Sequence, residues 1–159
     1  MTSSDFQVFP ELAMYEQCLT DIDTAFQAYP AEFPSPIKMG STIGTPPAQE
    51  FVILAIDWMN IVTHGNCIAH YDTAFHITCY AQTSLRAVKM REAVIRNMAG
   101  RLNVGREVVV NDGIITAAKK YWLTQYRVAR YTAAIRPFTI QGELREIAPI
   151  TLTAFVTER

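Results

Sequence analysis

Residues Tyr71–Leu102 read YDTAFHITCYAQTSLRAVKMREAVIRNMAGRL, and their hydrophobic period changes in the middle. Up to Gln82 the period is two. Tyr71, Thr73, Phe75, Ile77, Cys79 and Ala81 share one face, while Asp72, Ala74, His76, Thr78, Tyr80 and Gln82 share the other, as in a strand. After Thr83-Ser84 the apolar residues Leu85, Val88, Ile95, Met98, Ala99 and Leu102 recur at helical spacing, with Arg86, Lys89, Arg91, Arg96 and Arg101 between them. Thr83 or Ser84 can cap the helix through a hydroxyl that accepts from an orphan N–H. No capping box follows, because positions 86 and 87 are Arg and Ala. A strand that feeds straight into a helix lying back across it sets the plan for the rest of the chain.

Working outward, Ile68 or Tyr71 begins the returning arm of a hairpin whose first arm is Phe51–Val62, with a turn at His64-Gly65-Asn66. The unbroken run Phe51–Ile56 predicts a strand buried on both faces. Ahead of it, Pro30, Pro34, Pro36, Pro46 and Pro47 with Gly40 and Gly44 make residues 30–50 an extended proline-rich loop. Its apolar members Phe33, Ile37, Met39 and Ile43 need somewhere to dock. Residues 10–29 are an amphipathic helix. Leu12, Tyr15, Leu19, Ile22, Phe26 and Tyr29 form its stripe, and Glu16, Gln17, Thr20, Asp21, Asp23, Thr24 and Gln27 lie opposite. Pro10 suits its first turn and Pro30 its end.

Downstream, Gly105 falls near the helix C′ position. Val108–Val110 is a short strand stopped by Asn111-Asp112-Gly113. Residues 114–123 fit either a short helix or a strand end. Residues 123–135 alternate weakly as a strand, 137–149 form a polar, glycine-containing connection or a long hairpin tip, and Ile150–Val156 is a closing strand. The sum is one α+β domain over residues 1–159: an antiparallel sheet of about four strands flanked by helices.

Half of the 159 residues are hydrophobic and 18% are charged, which fits a folded chain with surface covered by other subunits. No run is long and apolar enough to span a membrane, and Met1–Phe9 lacks the pattern of a secretory signal. Cys18, Cys67 and Cys79 are sparse and odd in number, as expected of buried thiols in a reducing cytoplasm. The near-zero net charge conceals a polarity. Residues 1–60 carry eight acids against Lys38, and residues 86–136 carry eleven bases against three acids. Two halves packed on each other explain this, and so does a head-to-tail interface between copies.

Little in the sequence points to chemistry. His64, Cys67 and His70 have ligand-type side chains at short spacing, but a hairpin turn splays them, so histidines in solvent and a buried thiol are the expectation. Cys67 or Cys79 with a histidine and Asp57 has no nucleophile elbow around it. Asp21 and Asp23 point to different sides of their helix. The basic stretch with Tyr121, Trp122, Tyr126 and Tyr131 suits single-stranded nucleic acid, against which stands a pI near 6.3. No metal, cofactor or catalytic residue is expected.

The order of elements, with FHITCYAQT, LRAVKMREAVIRNMAGRL and the closing PITLTAFVTER, resembles the tail terminator (tail completion) proteins of long-tailed bacteriophages over most of residues 10–159. The resemblance implies a non-enzymatic virion protein that forms a hexameric ring at the head–tail neck and is assembled in the host bacterial cytoplasm. Such a ring caps the tail tube protein and docks a head connector or stopper protein. The tail sheath is a further candidate partner, and DNA passes through the lumen without specific binding. On this reading loop 30–50 and the connection 137–149 make subunit or partner contacts. The candidate contact residues are Phe33, Ile37, Met39, Ile43, Lys119, Lys120, Trp122, Phe138 and Ile140. The alternatives are another neck or baseplate ring component, or a small nucleic-acid-binding module.

Overall fold

The computed structural model describes residues 10–40, 50–64, 68–101, 105–110, 119–131, 136–140 and 143–158. Helix α1 (Pro10–Gln27) leads into a short parallel strand β1 (Lys38–Gly40). The hairpin β2 (Phe51–His64) and β3 (Ile68–Ala81) comes next. Helix α2 (Ser84–Val94) continues as π-helical turns over Ile95–Arg101. The remaining strands are β4 (Arg106–Val110), β5 (Lys119–Leu123), β6 (Arg127–Tyr131), β7 (Arg136–Ile140) and β8 (Glu143–Glu158).

These strands form one mixed sheet in the order β1-β2-β3-β8-β5-β4, with β6 and β7 also paired to β8. The expected sheet of about four antiparallel strands is therefore too small and too uniform. β1 runs parallel to β2, Lys38 opposite Phe51. Of the two readings of 137–149 the hairpin holds: β7 and the start of β8 are its arms, with Phe138 opposite Arg145. The single strand expected over 123–135 divides into the end of β5 and β6, separated by Thr124–Tyr126.

β8 is the spine. Along one edge it pairs with β3 from His70↔Thr157 to Ala81↔Glu146. Its other edge is covered in three pieces, by β7 at 143–147, β6 at 150–153 and β5 at 156–158. Pro149 falls in the seam between β7 and β6, where a residue with no N–H leaves no ladder bond unmade.

The β3 alternation holds as read: Thr73, Phe75, Ile77, Cys79 and Ala81 are buried beneath the helices. Ala148, Ile150, Leu152, Ala154 and Val156 of β8 and Val52 and Leu54 of β2 complete that inner face. β2 is not buried on both sides, however, since Ala55 and Asp57 are exposed. An antiparallel strand with one solvated face can carry small apolar residues there without a second layer over them.

α2 packs on β3 and β8, and α1 packs on α2, β2 and β4. Thr83 is the cap, its hydroxyl accepting from the Arg86 amide at 3.3 Å. The helix faces match the sequence-based stripes in part: Ile22, Phe26 and Met98 are buried, and Tyr15, Leu19, Tyr29 and Ile95 pack partly buried on the core. α1 buries Met14, Cys18, Ile22, Ala25 and Phe26, and with them Asp21. α2 buries Ala87, Met90, Arg91, Ala93 and Val94, while Leu85 is exposed. Small residues let a helix approach a sheet closely, so Ala25, Ala87 and Ala93 sit where larger apolar residues would be expected.

Candidate interaction face

The face of the sheet turned away from the helices holds the polar clusters. Its rows run across strands, because antiparallel partners share a face. One row is Ala55–His76–Thr151–Arg130, and the next is Asp57–Ala74–Thr153–Arg127. Then follow Asp72–Phe155 and Trp122–Thr157. Basic β6 thus flanks threonine-rich β8 on one side, with carboxylates of β2 and β3 on the other.

His76 joins two strands to its own. Its Nε2 lies 2.8 Å from Asp57 Oδ2 and its Nδ1 lies 3.0 Å from Thr151 Oγ1. With Nε2–H donating to the carboxylate, Nδ1 accepts from the threonine hydroxyl. The connectivity is that of nucleophile, base and orienting carboxylate. Thr151, however, lies mid-strand between two ladders, so it has no pair of spare amides beside it for a developing oxyanion. The row serves as a cross-strand polar clip. Cys79, the sequence's other nucleophile candidate, lies on the opposite face. Burial pushes its thiol up to about 12, against the opposing pull of Arg91, so it stays protonated. Burial also raises the Tyr80 phenol.

This face holds a groove of about 510 Å³ where β5 ends and β6 begins. It is lined by Trp122, Thr124, Gln125 and Arg127 from that break, by Thr153–Phe155 of β8, and by Asp72 and Gly105. Local sequence explains its shape. Tyr126 turns inward, donating to Asp21 Oδ2 at 2.6 Å and meeting Phe75 edge-on at 5.4 Å. Gln17 Nε2 donates to the other Asp21 oxygen at 3.0 Å. With Tyr126 anchored inside, Thr124 and Gln125 remain outside. Thr124 holds the Phe155 backbone twice: Phe155 N–H donates to Thr124 Oγ1 (2.8 Å), and Thr124 N–H donates to the Phe155 carbonyl (3.0 Å). The Phe155 ring is left 48% exposed. Trp122 can lie against residue 105 only because that residue is glycine; a Cβ there would sit 2.7 Å from the indole.

On the helix side, the acidic and basic halves of the chain meet. Arg86 forms a two-point ion pair with Glu50, with Nη2 at 3.2 Å from Oε2, and stacks over the Phe33 ring at 4.5 Å. Lys89 reaches Glu32 at 3.1 Å. Part of the charge polarity is therefore used within the chain, clamping the start and end of the proline-rich segment to α2.

The sequence-based contact residues are scattered. Phe33 and Ile37 are core residues, Phe33 packing on Phe26 at 5.0 Å, and Met39 packs partly buried against the same core. Their docking place is this chain's own interior. Lys119 and Lys120 open β5, opposite Val110 and Val109, and Phe138 and Ile140 lie in β7. Of those whose side chains are described, Trp122 lines the groove. Ile43 and Cys67 lie outside the described residues, and among those described no metal-binding group of His, Cys, Asp or Glu comes together. No described helix is long and apolar enough to cross a membrane.

No protein-family model matches the chain, and no curated protein matches its sequence. Phe155, Asp72 and Arg127 come from distant segments; the strand alternation placed Asp72 on one face with His76, and nothing in the sequence joined it to the other two.

Proposed function

We propose that this chain is a structural, ring-forming component of a virion neck: a tail terminator that caps the phage tail tube and gives the head connector its docking surface. The observation that carries this reading is the unfinished sheet. Its outer face is open at Ala55, Asp57 and Phe155, and among the described residues β4 and β1 end the strand order without a further partner. Open edges and open faces are how a sheet continues into a neighbouring chain, and a head-to-tail version of such a contact closes into a ring. The element order that resembles tail terminators supports the same reading. With Phe33 and Ile37 committed to the core, the sheet edges at β1 and β4 are the described places left for contacts.

Light scattering of the full chain across concentration and salt tests this. A mass of about six subunits, alone or on adding tail tubes, is the expected result. A monomer indifferent to tubes overturns it. Another neck or baseplate ring component would give the ring without capping tubes.

A further inference from the structure

We propose that the groove at the β5–β6 break binds one nucleotide unit of single-stranded nucleic acid, with the outer sheet face as its track. The inference does not depend on the ring reading, since a ring closed through the sheet edges at β1 and β4 leaves this groove uncovered. Its volume of about 510 Å³ accommodates a base with its sugar and phosphate. Phe155 supplies a half-exposed aromatic ring whose backbone is held from both directions by Thr124. A ring on a rigid strand is the platform on which a base stacks without regard to its identity. Trp122, seated on Gly105, lines the same cavity.

The charges complete the fit. Arg127 is exposed and belongs to the groove, where a guanidinium can take a phosphate with two parallel N–H donors. Arg130, also exposed, pairs with Thr151 where Arg127 pairs with Thr153. That is two residues along β8, or about 7 Å at strand rise, on the order of one nucleotide step in an extended strand. Asp72 lies directly across from Phe155. A carboxylate only accepts hydrogen bonds, so it takes the exocyclic amino group of cytosine or adenine and repels the O4 carbonyl of thymine. The groove therefore favours amino-bearing bases, while its single arginine, with Arg130 beside it on β6, set against one carboxylate makes for modest affinity.

Fluorescence polarisation of the full-length chain with labelled oligo-dC and oligo-dT, at low and at physiological salt, tests the proposal. Oligo-dC is expected to bind more tightly than oligo-dT, with an affinity that falls as salt rises. Phe155→Ala weakens binding about tenfold, the loss of one stacked base. Arg127→Gln lowers the logarithmic salt slope by about 0.7. Asp72→Asn removes the preference for oligo-dC. Phe155 and Arg127 are exposed, so circular dichroism should show both variants folded. Absence of salt-dependent binding overturns the proposal, as does binding that Phe155→Ala and Arg127→Gln leave unchanged. A Phe155→Ala variant that alters the scattering mass while the parent binds no oligonucleotide also overturns it, and assigns the groove to a second copy of the chain.

Discussion

Tyr126→Phe removes one hydroxyl from the interior and leaves the ring in place. That hydroxyl donates over 2.6 Å to Asp21 Oδ2, and both residues are 2% exposed. A hydrogen bond to a charged group contributes about 1.5–3 kcal/mol, and a buried carboxylate deprived of it cannot turn to water. Gln17 still serves the other oxygen at 3.0 Å, so the expected cost is in the middle of the range, about 2 kcal/mol. For a chain of this length that lowers Tm by about 4–8 °C. Urea unfolding followed by circular dichroism measures it, in a double-mutant cycle with Asp21→Ala that isolates the pair. A coupling of at least about 1 kcal/mol is expected. A Tyr126→Phe variant within about 0.5 kcal/mol of the parent, or strictly additive single variants, would refute the assignment of this bond as the anchor of the 124–126 link.

Three further outcomes follow from the packing. Thr83→Ala removes the α2 cap and is expected to cost about 1 kcal/mol in the same unfolding assay, with Thr83→Ser close to the parent. Gly105→Ala forces the Trp122 indole from its seat, because the new Cβ would lie within 2.9 Å of three ring atoms. In a Trp58→Phe background the emission should shift, with a stability loss of about 1–3 kcal/mol. Cys79, its thiol pushed up to about 12 from 9.0 by burial, should resist iodoacetamide at pH 8 until the chain unfolds. The linkage has a definite sign: between those values the unfolded thiol loses its proton and the native one keeps it. Stability is then fully present below pH 9 and falls as pH rises toward 12, by about 1 kcal/mol at pH 10 from this group. A labelling rate in the native protein equal to that in urea would contradict the burial.

Where side chains alternate about a single buried face, the sequence was legible. β3, the closing strand and the Thr83 cap could be read because each depends on residues next to one another in the chain. Ile22, Phe26 and Met98 were legible as core, and the rest of each helix face was missed for a common reason. Periodicity ranks large apolar residues as core, while the close α2–sheet contact selects Ala87 and Ala93 and leaves Leu85 outside. Asp21 was placed in solvent because its partner, Tyr126, lies 105 residues away. The strands around β8 were undercounted because five-residue strands such as β6 and β7 present too few repeats to establish a period. The groove suffered most, since Asp72, Gly105, Trp122, Arg127 and Phe155 are brought together only by register.

The seam at Pro149 has a consequence for how the sheet breathes. In an antiparallel strand successive amides point to opposite neighbours. Those of β8 that face β3 belong to one ladder of twelve paired positions, and opening any of them means peeling the hairpin from the core. Those facing the other way belong to three short strands with breaks between them, each able to detach alone. Hydrogen exchange along β8 should therefore show a sawtooth: alternate amides protected to the level of global unfolding, and the amides between them exchanging through cheaper local openings. One strand would report two stabilities.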